Sequence, residues 1–342
     1  MFENKIILIT GGTGTVGEAL IERLLNSFNP KIIRIFSRDE TKQFNLAKRF
    51  ENHKEKLRFF IGDIRDKERL TRAVRNVDVI FHLAALKHVL ACEYNPFESI
   101  KTNILGLQNL IEVCIDQGVK KVVFTSTDKA ATPCNVMGVT KLLGEKLITT
   151  ANYYKGSTYP IFYSIRFGNV LGSRGSLIPL IENRIKNDLP IMLTHNEMTR
   201  YVITIDQAIN FIFKTIEIAQ GGEVFILKMD AIKIIDLIEV MIEYYAEIYK
   251  KKSDRIQIRE IGLFAGEKLY EELFSIEESQ RTYEIDDMYI ILPQITEVST
   301  AIDINKYPNI KKFDFKDPFN SKDSPLLSKE EIKELLDKFN RA

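Results

Sequence analysis

Lys5-Ile-Ile-Leu-Ile-Thr-Gly-Gly-Thr-Gly-Thr-Val-Gly17 is the stretch on which the fold turns. Its opening residues make a continuous apolar run, the mark of a strand covered on both faces. The glycine-rich segment follows at once, and an amphipathic pattern then runs from Glu18 to Leu25. Strand, glycine loop and helix in that order are the setting in which such glycines bind a dinucleotide. They permit the tight turn and let backbone N–H groups approach a pyrophosphate at the helix N-terminus. Gly11, Thr13, Gly14, Thr15, Val16 and Gly17 are therefore the first candidate cofactor contacts.

The same alternation continues along the chain. A second strand, Lys31 to Phe36, ends in Ser37-Arg38-Asp39. An acid at this tip suits an adenosine ribose diol, whereas Ser37 followed by Arg38 suits a 2′-phosphate. NADP is expected ahead of NAD, with Asp39 keeping NAD as the alternative. A third strand, Leu57 to Ile61, leads to Asp63, placed to accept from an adenine amino group, and to Ile64 beside it. Asp66 reads as the N-cap of the next helix. After the fourth strand, Asp78 to Phe81, His82 reads as a structural hydrogen-bonder, and Leu83, Ala84 and Ala85 let the chain pass close to a nicotinamide ribose. Lys87 is a candidate for a phosphate or substrate contact. One long helix is expected from Glu98 to Gln117, closed by Gly118, with Asn103 bridging backbone groups near the site. Two more strands, Val122 to Thr125 and Pro160 to Arg166, complete the pattern.

Strands and helices alternating this regularly give an α/β fold with a doubly wound parallel (Rossmann) sheet. Past Gly168 the pattern changes, and a smaller mixed α/β substrate-binding lobe is expected. The dinucleotide-binding domain takes residues 1–165 with a return segment at 203–228. The lobe takes 166–202 and 229–300, and an arm and helix occupy 301–342. In that arm a loop is expected over 314–325, followed by a helix with Ser328 and Glu331 as a capping box.

The chemistry concentrates between Ser126 and Lys146. Thr127, Asp128 and Lys129 lie just past the fifth strand, where open α/β sheets hold their ligands. Met137 and Lys141 are four residues apart, hence on one helix face. An acid, two lysines and a hydroxyl brought to one point form a reaction centre if a cofactor lies alongside. The plain alternative is a local ion pair between Asp128 and Lys129 at a strand end.

Bulk properties narrow the classes. Among 342 residues, 48 are basic and 47 acidic, so the net charge is +1. That balance argues against nucleic acid as the partner, which demands a basic face. No apolar run approaches the ~20 residues that cross a bilayer, and no signal-peptide pattern opens the chain. Cys92, Cys114 and Cys134 lack metal-ligand spacing; reduced thiols, no metal and a cytoplasmic location are expected.

These motifs carry a resemblance. The glycine loop, Asp63, Met137-x-x-x-Lys141 and Arg166-Phe-Gly-Asn169 resemble the extended short-chain dehydrogenase/reductases. More narrowly, Ser126-Thr-Asp-Lys-Ala130, Asn135-Val-Met-Gly138, Arg166-Phe-Gly-Asn-Val-Leu-Gly-Ser-Arg-Gly-Ser176, Met198-Thr-Arg200 and Gly266-Glu-Lys-Leu-Tyr-Glu-Glu272 are similar to the UDP-N-acetylglucosamine 4,6-dehydratases. The resemblance implies that Thr127 and Lys141 hold the sugar 4-hydroxyl and the nicotinamide ribose. It makes Asp128 the acid for the departing 6-hydroxyl and Lys129 the base that takes the C5 proton. Such a base must be neutral, and burial near Lys141 is expected to lower its pKa. Met137 stands where most of the superfamily has Tyr, so Lys141, Thr127 or Asp128 through water must deprotonate the 4-hydroxyl.

The same resemblance assigns UDP-N-acetylglucosamine contacts to Lys87, Asn169, Arg174, Ser176, Thr199, Arg200, Arg259 and Glu267. Phe264-Ala265 replaces the Arg-Pro common in relatives, so Arg200, Arg174 or Arg259 must hold the diphosphate. Retention at C5 is expected, with inversion as the alternative, and a homo-oligomer is implied by analogy. Two competing readings are a UDP-sugar 4-epimerase, against which the Asp128–Lys129 doublet argues, and a non-catalytic NADP-binding protein, which Met137 alone supports.

Overall fold

Alternate residues of the central strands feed two different cores. In β1 (Ile6–Thr10), Ile7 and Ile9 enter one cluster and Leu8 the other. The pattern repeats in β4 (Val79–His82), where Phe81 and Ile80 part, and in β5 (Lys121–Thr125), where Val123 parts from Val122 and Phe124. Side chains of a strand alternate sides, so an all-apolar run needs helices on both faces. Helices Thr15–Ser27 and Ile205–Ile218 cover one face, and Lys67–Val74, Gly106–Gln117 and Val136–Tyr154 the other. Leu20, Ile21 and Leu24 of the first helix are fully buried. Each contributes about 1.5–3 kcal/mol of transfer free energy.

The computed structural model describes residues 1–157, 159–314 and 319–341. With β2 (Ile32–Ser37), β3 (Leu57–Ile61) and β6 (Ile161–Arg166), the parallel sheet has the order β6-β5-β4-β1-β2-β3. The order reverses between β1 and β4, and their C-terminal ends diverge into a crevice there. Three short strands, β7 (Asn169–Val170), β8 (Ile191–Leu193) and β9 (Thr199–Ile203), follow in the lobe. The chain then returns: β10 (Val224–Leu227) pairs parallel with β6. In the lobe β11 (Asp230–Lys233), β9 and β7 form one small sheet, and β12 (Ile258–Glu260) and β8 another. Helices Leu177–Lys186, Ile234–Ile248 and Lys329–Arg341 pack around them, with Ile181, Ile238, Ile332 and Leu336 in one core. Ser328 and Glu331 exchange the hydrogen bonds of a capping box at the last helix. No helix among the described residues is long and apolar enough to cross a membrane.

Two expectations are corrected. Residues 229–300 do not belong wholly to the lobe: β13 (Thr282–Ile285), β14 (Met288–Ile291) and β15 (Lys311–Lys312) extend the large sheet antiparallel beyond β10. A β10 edge left open would expose a row of unpaired backbone groups, and this hairpin covers it. The single helix expected from Glu98 to Gln117 is instead Pro96–Ile100, a π-helical turn Lys101–Leu105 and Gly106–Gln117. The loop expected over 314–325 lies partly outside the described residues.

Arg166, at the end of β6, is wholly buried. Its guanidinium meets Glu145 at 2.7 and 2.6 Å and Glu278 at 2.8 and 2.8 Å, and reaches Leu273 O at 3.1 Å. Removing one member of such a network leaves uncompensated buried charge, at a cost of about 3–5 kcal/mol. Arg166→Leu is expected to lose about that much unfolding free energy in urea denaturation, while Arg23→Leu, at an exposed pair with Asp206, is expected to lose less than about 1 kcal/mol.

Candidate active site

The crevice between β1 and β4 widens into a cleft of about 450 Å³ walled by the glycine loop on one side and the lobe on the other. Gly11 takes φ +69°, and a Cβ there would sit 2.8 Å from Ala84 N. The loops after β1 and β4 therefore touch directly. Beneath them His82 Nδ1 meets Thr10 Oγ1 at 2.7 Å. Burial, with Lys141 nearby, pushes the His82 pKa down to about 3, so the ring is neutral and structural. Asn103, in the π-helical turn, accepts from Leu86 N at 2.8 Å and donates to Leu86 O and Thr140 Oγ1. It clamps the loop that carries Leu83 to Lys87.

The residues present fit a dinucleotide. Gly14, the N-cap of helix Thr15–Ser27, supplies no side-chain acceptor, so first-turn N–H groups remain for an anion. Gly11, Gly14, Thr15, Val16, Gly17, Leu83 and Ala85 line the cleft, while Thr13 and Ala84 do not. At the tip of β2, Asp39 is committed to capping the next helix through Lys42 N at 2.9 Å. Ser37 Oγ accepts from Gln43 at 2.9 Å, and exposed Arg38 reaches Asp63 at 3.6 Å. Asp63 is also held by Arg65; burial pushes its pKa up, but Arg65 and Arg38 outweigh that and leave it lowered. Ile64 is buried.

At the end of β5 the chain turns through Thr127, Asp128 and Lys129 into helix Val136–Tyr154. Asn135 caps that helix on Gly138 N at 2.7 Å and donates to Gly266 O at 2.8 Å. Met137 and Lys141 both line the cleft. Lys141 Nζ donates to Thr125 O at 2.7 Å and lies 4.7 Å from the Phe124 ring centroid. Burial lowers its pKa to about 8, against a smaller opposing pull from Glu145. Asp128 is almost wholly buried: Oδ1 accepts from Thr127 Oγ1 at 2.8 Å and Lys129 Nζ at 3.0 Å, and Oδ2 has no partner. Ser126 Oγ and Ser176 Oγ at the cleft are likewise buried without partners. Ser126 and Ser176 line the cleft, and unsatisfied buried hydroxyls there are what a ligand would satisfy, whereas Asp128 lies outside the lining.

Lys129 departs from expectation. Its ammonium contacts Asp128 at 3.0 Å, Glu271 at 3.3 Å and Asn169 at 3.3 Å. Burial pushes its pKa down, but Asp128 and Glu271 together outweigh that, and the pKa is raised. The cation that opposes them is Arg200, not Lys141. Lys129 is thus held protonated, because carboxylates flank it on two sides.

Several expected sugar-nucleotide contacts are used internally. Arg200 is buried, donating to Thr199 O, Leu269 O and Lys268 O and pairing with Glu267 and Glu271 at 3.7 Å. Thr199 is buried against Ser321 Oγ at 2.8 Å. Both brace the 266–272 segment and offer no free group to a diphosphate. Arg174 turns to the glycine loop, contacting Thr13 O and meeting Glu18 at 2.9 Å, while Lys87 Nζ donates to Arg174 O at 3.0 Å. Arg259 is exposed on β12, beside Gln257, and neither it nor Glu267 lines the cleft. Lys87, Asn169 and Ser176 do line it. The loop bearing Arg174 and Ser176 is anchored at Gly172, where a Cβ would sit 1.8 Å from Phe339 Cε2 of the last helix. Glu271 is the residue that reading the sequence missed. Its only signal was a place inside Gly266-Glu-Lys-Leu-Tyr-Glu-Glu272, since nothing local says that Lys129, 142 positions earlier, faces it. No cluster suited to a metal ion occurs among the described residues.

The profile of the family described as Polysaccharide biosynthesis protein matches residues 7–293. A Campylobacter jejuni protein named UDP-N-acetylglucosamine 4,6-dehydratase (inverting) is 43% identical over 99% of this chain and 98% of its own. A Rickettsia felis protein named UDP-glucose 4-epimerase is 38% identical over 98% of this chain and 96% of its own. The crystal structure of Pen from Bacillus thuringiensis superposes with a TM-score of 0.91 at 45% identity, each chain wholly covered. Fold, glycine loop and near-full-length identity agree, and the chain belongs to the polysaccharide biosynthesis protein family of extended short-chain dehydrogenase/reductases.

Proposed function

We propose that this chain is a nucleotide-sugar dehydratase that converts UDP-N-acetylglucosamine to a UDP-4-keto-6-deoxy-N-acetylhexosamine. The observation that carries the reading is the buried Asp128–Lys129 contact of 3.0 Å beside a dinucleotide-type cleft. A bound nicotinamide dinucleotide would take hydride from C4 and later return it to C6. NADP is preferred, because Asp39 is occupied as a helix cap while Arg38 stands at the β2 tip. Lys141, with its pKa lowered to about 8, is the acceptor for the 4-hydroxyl proton in place of the missing tyrosine. A ketone at C4 acidifies C5–H, so a base at C5 and an acid at C6 release water. Passage of one proton from Lys129 to Asp128 makes both at once: a neutral amine to take the C5 proton, and a carboxylic acid to protonate the departing 6-hydroxyl. The enone that remains accepts hydride at C6 and a proton at C5.

The named Campylobacter relative supports inversion at C5, so we take inversion ahead of the retention expected from the resemblance. The epimerase reading has one observation in its favour, the name of the Rickettsia relative, but it needs no Asp128–Lys129 pair.

Incubation with UDP-N-acetylglucosamine and NADP is expected to yield a product lighter by one water with a new C6 methyl signal in proton NMR. Unchanged mass with an altered C4 signal would establish epimerisation instead. Solvent deuterium at C5 and its coupling to neighbouring protons report inversion or retention. Lys129→Ala is expected to lower dehydration by at least about 10²-fold with NADP binding kept; normal turnover would refute the base. Because Lys141 must be neutral to accept a proton, kcat is expected to rise with pH through about 8, and Lys141→Met is expected to remove that limb.

A further inference from the structure

Three oxygen acceptors surround the Lys129 ammonium, two of them carboxylates. Asp128 Oδ1, Glu271 Oε1 and Asn169 Oδ1 lie at 3.0, 3.3 and 3.3 Å. Asn169 cannot accept a proton, and Asp128 is the acid of the proposed elimination. Glu271 is a second carboxylate that this chemistry does not consume. It is almost wholly buried, its N–H donates to Ser321 Oγ at 3.0 Å, and Ser321 N donates to Glu271 O at 2.8 Å. Ser321 Oγ in turn meets Thr199, so the Glu271 backbone is held from two elements.

We propose that Glu271 is a positioning residue that keeps one proton on the Asp128–Lys129 pair. The proposal rests on the dehydratase reading for its catalytic meaning, though the electrostatics of the pair stand apart from it. The pair needs that shared proton: with it, Lys129 can pass a proton to Asp128 and become the base while Asp128 becomes the acid. Without it, Lys129 is neutral and Asp128 is a bare carboxylate with nothing to give the departing hydroxyl. A negative charge at 3.3 Å favours the charged amine and holds the proton to higher pH. When the proton moves to Asp128, the lone pair it frees faces Asp128, and rotation about the Cε–Nζ bond is what turns it to C5.

The charged surroundings are consistent with this balance. Arg200 on β9 faces Glu271 at 3.7 Å and opposes it at Lys129. Glu267, on the same segment, pairs with Arg200 rather than Lys129, and the Tyr201 hydroxyl is bonded to Ser324. Burial pushes the Glu271 pKa up, against the pull of Lys129 and Arg200.

The test titrates Lys129 directly, using ¹³Cε- and ¹⁵Nζ-labelled lysine in the full-length protein with NADP, the signal assigned by Lys129→Arg. In Glu271→Gln the amide oxygen still accepts an N–H bond, but the charge is gone. The Lys129 midpoint is expected to fall by about 1–3 pH units. Glu271→Asp, which keeps the charge, is expected to hold the midpoint within about half a unit of wild type while lowering kcat through the shorter reach. An unchanged midpoint in a folded Glu271→Gln protein, or a midpoint in Glu271→Asp that falls as far as in Glu271→Gln, overturns the proposal. With UDP-N-acetylglucosamine as substrate, the alkaline descent of kcat is expected to move to lower pH by the same interval, with KM little changed. If wild type fails to dehydrate the sugar while the Lys129 midpoint still shifts, the dehydratase reading falls and the role of Glu271 in setting the pair stands.

Discussion

The bidentate grip of Arg166 on Glu145 and Glu278 is the contact on which the site depends. Each partner belongs to a segment that delivers a reacting group. Arg166 itself ends β6 and is followed three residues later by Asn169. Glu145 lies one turn beyond Lys141 on the same helix. Glu278 and Leu273, both bonded to Arg166, follow directly on Glu271. One buried cation thus sets the spacing of three chain segments that meet at Lys129. Buried ion networks of this kind add little net stability when complete, yet they are costly to break. Their use here is geometric.

The electrostatics above this network follow from crowding like charges and unlike charges into a dry space. Two lysines sit within one small region and titrate in opposite directions. Lys141 faces a backbone carbonyl and an aromatic ring, so burial prevails and its pKa falls to about 8. Lys129 faces two carboxylates, so attraction prevails and its pKa rises. Lys141 is buried and Lys129 half-buried, and desolvation pushes both down, so the neighbours decide.

That contrast also explains what could be read from residue order. The glycine loop, the apolar strands and the N-caps at Asp66 and Asn135 are local, encoded within a few residues of where they act. The cluster Thr127, Asp128, Lys129, Met137 and Lys141 was legible because a strand end and one helix turn bring it together. Lys129's protonation was not, since Glu271 arrives from a segment 142 positions away. Arg200 and Thr199 were read as ligand contacts because polar residues on a lobe strand look available, whereas folding turns both inward onto 266–272 and 321. Likewise Thr282–Ile285 and Met288–Ile291 carry no local sign that their partner is the edge of the large sheet rather than the lobe.

Phe339 lies over Gly172, and the loop that starts there touches the glycine loop through Arg174. The wall of the cleft nearest the first twenty residues is therefore braced by a side chain from the last turn of the final helix. During synthesis the glycine loop leaves the ribosome some three hundred residues ahead of its brace. A nascent chain that has already formed the parallel sheet still lacks this closure, so the cleft reaches its finished shape only after the final helix has emerged and docked.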